Sequence, residues 1–113
     1  MKLTGIIISS FLCVIFNVKG QKIHQVMYED KCDVKIYLAE DESKCDLKVF
    51  FVDDEQKSSQ PGCWYVCDFP NEKATNIYFT DDETQADVLI YIVDEEMNAG
   101  WVNEEKKNKM PLK

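Results

Sequence analysis

The sequence predicts a small, mainly β, single domain assembled from tandem repeats. Three observations carry that reading. The chain has 113 residues, the size of one domain. CDVKIYLAEDESK from Cys32 is followed at once by CDLKVFFVDDEQK from Cys45, a period of 13 residues. Each copy divides into an apolar stretch rich in β-branched and aromatic residues, which is strand chemistry, and an acidic connection. Repetition at a fixed period outranks any single motif in assigning architecture.

Residues 1–20 read as an address rather than as part of the fold. Met1-Lys2 supplies a positive start, Ile6 to Val18 an apolar run, and Val18-Lys19-Gly20 an exit before Gln21, the pattern of a secretory signal cleaved after Gly20. The run is shorter than the roughly 20 residues of a spanning helix. Loss of Lys2 and Lys19 leaves eleven lysines against 21 acids, a net charge of −10 for a mature exported chain, secreted or periplasmic.

The repeat domain occupies residues 21–102. Ile23 to Lys31 reads as a degraded copy. The copies from Cys32 and Cys45 follow, and after Ser58 and Ser59 the frame returns from Gln60, Lys73 and Ala86, making five copies up to residue 98 before Ala99-Gly100-Trp101-Val102 opens another. Ile36, Val49, Trp64, Ile77 and Ile90 are equivalent, as are Leu38, Phe51, Val66, Phe79 and Ile92 two residues on, and alternation places both sets on one strand face. Tyr37, Phe50, Tyr65, Tyr78 and Tyr91 recur on the other face, so that face needs burial or a cover of ordered connections. Core or cross-strand packing is the ordinary use of such an aromatic column.

The connections beginning at Glu40, Asp53, Asp81 and Asp94 each open with an acid, and three open with Asp, a good cap for a single helical turn. Stretches of about six residues are too short for the usual crossover between neighbouring parallel strands, which takes about a dozen. Local rules therefore draw an antiparallel meander. Gln60-Pro61-Gly62 and Phe69-Pro70-Asn71 mark turns around the Trp64 strand, and residues 103–113 read as a charged, frayed tail.

The rhythm of strand, acidic turn and Ala-Asp or Cys-Asp resembles the septoil knot domain family. The residues that carry the resemblance are Cys45-Asp46-Leu47-Lys48-Val49-Phe50-Phe51-Val52-Asp53, Cys63-Trp64-Tyr65-Val66-Cys67-Asp68 and Gln85-Ala86-Asp87-Val88-Leu89-Ile90-Tyr91-Ile92-Val93-Asp94, closing in Ala99-Gly100-Trp101. It implies a compact β-rich domain threaded into a deep seven-crossing knot, an exception to the rule that connections do not thread. It brings no function assignment. The chain departs from the pattern at Cys32 and Cys45, where Ala is usual, and at Pro61 and Pro70.

Composition excludes more chemistry than it offers. Strong acidity without any Arg removes the charges and forks used on phosphate, which excludes nucleic acid and anionic membranes as partners. His24 is the only histidine, so a nucleophile-base pair has little to draw on, and adjacent acids on turns ordinarily form a solvated face. The expectation is no catalytic residue, no cofactor and no metal, with Asp53, Asp54, Glu55, Asp81, Asp82 and Glu83 the calcium candidates if the glycine-free turns bound one. A Cys63-x-x-x-Cys67 metal site lacks a second tight pair.

Cys32, Cys45, Cys63 and Cys67 are disulfide candidates in an oxidising compartment, with three possible connectivities. On one continuous strand Cys63 and Cys67 lie about 13 Å apart, beyond the roughly 7 Å a bridge allows. Winding that stacks equivalent positions would bring Cys32 to Cys45; a meander would hold them at opposite ends. The sequence thus predicts a monomeric, non-catalytic exported module for an unidentified protein or cell-surface partner. The competing reading is a small secreted hydrolase using turn carboxylates or a Cys63 or Cys67 thiol.

Overall fold

A computed structural model describes residues 21–111, so the expected signal segment lies outside the described residues. The chain forms β1 (Lys22–Gln25), β2 (Val34–Leu38), β3 (Leu47–Val52), β4 (Cys63–Val66), β5 (Thr75–Phe79), β6 (Val88–Ile92) and a short β7 (Gly100–Trp101). Every connection except that from β4 to β5 carries a short 3-10 helix, three residues long in most and five in Glu55–Ser59. The capping residue in three of them is the second acid and not the first: Asp41, Asp54 and Asp82 accept from the backbone N–H two residues on.

β1 to β6 close into a parallel barrel in the order β1-β5-β2-β6-β3-β4, and β7 adds to β3 antiparallel. This corrects the antiparallel meander. The crossover rule assumes that two parallel strands start level, so that the chain must travel back. Here Gln25 at the end of β1 pairs with Ile77, and Ile77 pairs with Val34 at the start of β2. β2 thus begins level with the place where β1 ends. The same relation joins Leu38 through Ile90 to Leu47, Val66 through Ile23 to Thr75, and Phe79 through Ile36 to Val88. Each connection has only to cross one intervening strand, about 10 Å, and a short segment suffices.

Around the barrel every step to the next strand moves the paired residue back by two, so equivalent positions of the copies lie in rings. A middle ring of Ile23, Ile36, Val49, Trp64, Ile77 and Ile90 is at most 2% exposed. A lower ring of Gln21, Val34, Leu47, Thr75 and Val88 is also buried, with Gly62 filling the β4 position. On the outer face the aromatic column and His24 are half-buried.

A clasp made by an aspartate recurs below the rings. Asp33, Asp46 and Asp87 each donate a backbone N–H to a carbonyl on the adjacent strand and accept from that same residue's N–H through the carboxylate: Asn76, Leu89 and Lys35 respectively. These are charge-assisted bonds, the stronger kind.

The step from β3 to β4 differs. It moves one strand and not two, and it contains the inserted Ser58 and Ser59. Gln21 stitches it: its backbone N–H and its side-chain amide donate to Ser58 O (3.0 and 3.1 Å), the amide also reaches Gln60 O, and its Oε1 accepts from Gly62 N at 2.9 Å. Gly62 has φ +85°, and a Cβ there would lie 2.4 Å from Lys48 O and 2.5 Å from Gly100 N.

The tail is docked, not frayed. Residues Glu104–Lys109 form a 3-10 helix, Met110 packs on the core at 6% exposure, and Thr75 donates its hydroxyl to Pro111 O. Together with Trp101, Met110 seals the lower end of the barrel, because the apolar Met and Trp in that stretch outweigh its charge in deciding where it sits.

Two outcomes follow for stability. Gly62→Ala meets backbone on two sides in a conformation that L residues avoid, and should cost about 2 kcal/mol or more in urea unfolding. Met110→Ala should cost about 2 kcal/mol as a core truncation, whereas a frayed tail would show no change.

Candidate functional site

The seventh position of each copy continues the inward face but lies at the upper end of the barrel, which no segment among the described residues seals. Leu38, Phe51, Val66 and Ile92 are 40–48% exposed, while Phe79 is half-buried and Gln25 is the polar member. Phe51 meets Trp64 of the middle ring edge-on, with centroids 6.4 Å apart, so the core runs up into the open end. Two residues further on, the strands end in a bend at Met27, Glu40, Asp53, Asp68, Asp81 and Asp94, all exposed. Five carboxylates therefore ring an apolar mouth. Lys57 reaches Asp53 at 3.4 Å; Glu40, Asp68, Asp81 and Asp94 have no ion pair among the described residues.

Apart from Lys57 and from Lys44, which lines a depression with Glu40, the lysines with recorded ion pairs or in the tail lie away from this end. Lys22, Lys35 and Lys48 stand on the outer wall and pair with Glu55, Glu29 and Glu42 at 2.6–2.7 Å. Their bonds to Glu29 and Glu42 raise the pKa of Lys35 and Lys48, which keeps both charged. Lys106, Lys107 and Lys109 belong to the tail at the sealed end. Exposed pairs of this kind add little stability, about 0–1 kcal/mol each, but they leave the mouth acidic.

The calcium candidates divide between two separate connections. Asp54 and Asp82 are engaged as turn caps, Asp82 also accepting from the Thr84 hydroxyl at 2.7 Å, and Glu55 and Asp53 are engaged by lysines. Among the described residues no three His, Cys, Asp or Glu side chains are grouped to hold a metal ion. Asp41, an exposed cap of the same kind, has its pKa lowered by hydrogen bonds from Ser43.

Among the described residues Cys32, Cys45, Cys63 and Cys67 are free thiols, with no bridge between Cys32 and Cys45. Burial raises the pKa of every one of these thiols. Cys45 donates to Glu42 O at 3.2 Å, and Glu96 adds to the upward shift at Cys63, which is fully buried. His24 and Cys67 do come together, but the ring Nδ1 donates to the Cys67 carbonyl at 2.8 Å and the sulfur takes no part. A carbonyl only accepts, which puts the imidazole proton on Nδ1. Beside the mouth, a depression of about 330 Å³ brings Asp53 and Glu96 near Lys57, Phe50, Phe51 and Val52.

Sequence reasoning grouped the seventh-position residues with the core and treated the acids as a solvated face, so it missed the mouth. The signal was present, since an apolar seventh residue is followed two positions later by an acid in five copies. It also placed the start of the first copy too late. Lys22-Ile23-His24 is equivalent to Lys35-Ile36-Tyr37, and Glu29 to Glu42.

The family described as 7(1) septoil knot domain matches residues 20–102 of the chain. No curated protein and no solved structure matches it.

A thiol held in its protonated form by burial is a poor nucleophile. At neutral pH, Cys63 and Cys45 should react with a thiol reagent only as the protein unfolds, and Cys32 and Cys67 more slowly than in an unfolded chain. The same shifts fix a sign for stability. A thiol pKa raised on folding stabilises fully below its ordinary value of 9.0, and that part is lost as pH rises through the higher folded-state value. The urea midpoint should therefore fall above pH 9, and less steeply in Cys63→Ala.

Proposed function

The chain belongs to the 7(1) septoil knot domain family, and from that membership we infer that its backbone is threaded into a deep seven-crossing knot; from its own residues we propose that it serves as a non-catalytic exported module that binds a partner at the open end of the barrel. The observation that carries the binding role is the ring of Leu38, Phe51, Val66 and Ile92, a large apolar surface left open at one end while Met110 and Trp101 seal the other. Large exposed apolar patches rimmed by polar groups mark interaction sites. Interleaving supports the knot, since β5 and β6 enter between strands already laid down. The pattern of Lys2, Ile6 to Val18 and Gly20 supports export, secreted or periplasmic. The hydrolytic alternative would use the depression of Asp53 and Glu96, where Lys57 already engages Asp53.

The binding role is tested by capture from the exported fraction with the intact protein and with two variants. A partner held through the mouth is lost with Leu38→Ser/Ile92→Ser and kept with the wall variant Lys35→Ala; retention by both would refute the role. The knot is tested by pulling the chain from residues 21 and 111. A threaded chain stops short of the roughly 3.6 Å per residue of full extension, and an unthreaded one reaches it. N-terminal sequencing that begins at Gln21 meets the export expectation, and a retained Met1 overturns it.

A further inference from the structure

The mouth also carries information about the chemistry of its occupant, resting on the proposal that the mouth binds at all. Its centre is apolar, with Leu38, Phe51, Val66, Phe79 and Ile92 at the seventh position of five strands. Its edge is anionic, with Glu40, Asp53, Asp68, Asp81 and Asp94 at the ninth. Two exposed lysines stand at that edge, Lys57, 3.4 Å from Asp53, and Lys44, which lines a depression with Glu40, so the five carboxylates outnumber the cations beside them. Exposed Met27 and Phe69 widen the apolar surface just outside it.

We propose that the mouth docks a basic, apolar-tipped segment of a partner protein, with one or two large apolar side chains over the Phe51–Trp64 edge and lysine or arginine side chains on the rim carboxylates. Each part of the surface selects against a different alternative. An anionic bilayer or an acidic peptide meets five carboxylates, and like charges brought together at an interface cost several-fold in affinity each. A small neutral ligand would bury the ring but leave the rim unused. A second copy of this chain, mouth to mouth, would set two such rims against each other across the contact. A basic segment answers both parts at once: the apolar tip removes the ring from water, and the rim accelerates and orients its arrival.

The probes are three acetylated, amidated peptides of equal length: one alternating leucine with lysine, one alternating leucine with serine, and one alternating leucine with glutamate. Binding to the protein of residues 21–113 is followed by amide and methyl NMR shifts and by affinity at two salt concentrations. The expected result is that the lysine peptide binds tightest, shifts Leu38, Val66 and Ile92 signals, and weakens as salt rises. Asp81→Lys/Asp94→Lys, both exposed and clear of the capping residues, should weaken it by about tenfold with an unchanged melting temperature. Leu38→Gln/Ile92→Gln should weaken all leucine peptides alike. Equal binding of the lysine and serine peptides at the mouth overturns the basic partner but leaves a binding mouth. Shifts confined to the acidic connections of the wall, or no binding by any of the three, overturn both. Sedimentation of the protein alone as a dimer that the Leu38→Gln/Ile92→Gln variant abolishes would overturn the basic partner in favour of a second copy.

Discussion

The two-residue stagger between neighbouring strands is the constraint on which the rest of the molecule depends. It makes the end of one strand level with the start of the next-but-one, so a short connection can join parallel strands without returning along them. It also turns sequence equivalence into spatial rings. A position that is apolar in every copy becomes a layer of the core, and a position that is acidic in every copy becomes a rim. The aspartate clasps and the turn caps then hold each copy to its neighbours with backbone groups satisfied.

Counting strand positions shows why one copy has to be irregular. Steps of two around a six-stranded barrel would bring the fourth strand back onto the site of β1. The step from β3 to β4 is a single position, and the inserted Ser58 and Ser59 lie in it. That one change offsets the second lap, so β5 falls between β1 and β2, and β6 between β2 and β3. After β6 a further step of two would reach the place of β4. β7 accordingly lies against the first residues of β3, beside Leu47 and Lys48, while β4 holds Phe50 to Val52. The backbones converge at Gly62, close to Lys48 O and Gly100 N, where no Cβ fits.

Much of this was legible in the sequence. The period, the strand identity, the buried Ile36, Val49, Trp64, Ile77 and Ile90, and the half-covered Tyr37 and Tyr91 follow from residue types and spacing. Strand direction did not follow, because direction depends on register between copies that no local pattern encodes. The docking of Met110 was hidden among lysines, and the role of Gln21 was hidden because a buried glutamine reads as exposed until its five hydrogen bonds are seen. The mouth escaped for a related reason. Leu38 and Ile36 share a strand face, and only the stagger tells that one ring lies within the barrel and the next at its opening.

Acids beside exposed apolar side chains have a simpler use, which is to keep such a surface from sticking to itself. Net charge serves solubility, and flanking charges guard unavoidable hydrophobic strands. That account explains the rim but not the ring. The seventh position does not require an apolar residue, since β1 carries Gln25 there within the same barrel register. Nor does closing the barrel require it, because the middle and lower rings already form a buried core and the lower end is closed by Met110 and Trp101. A polar residue at Leu38, Phe51, Val66 or Ile92 would remove the hazard that the acids would otherwise guard against. An apolar ring kept open in five of six strands, next to charges that would oppose a second copy of the chain, is the arrangement that the proposed docking of a different occupant calls for.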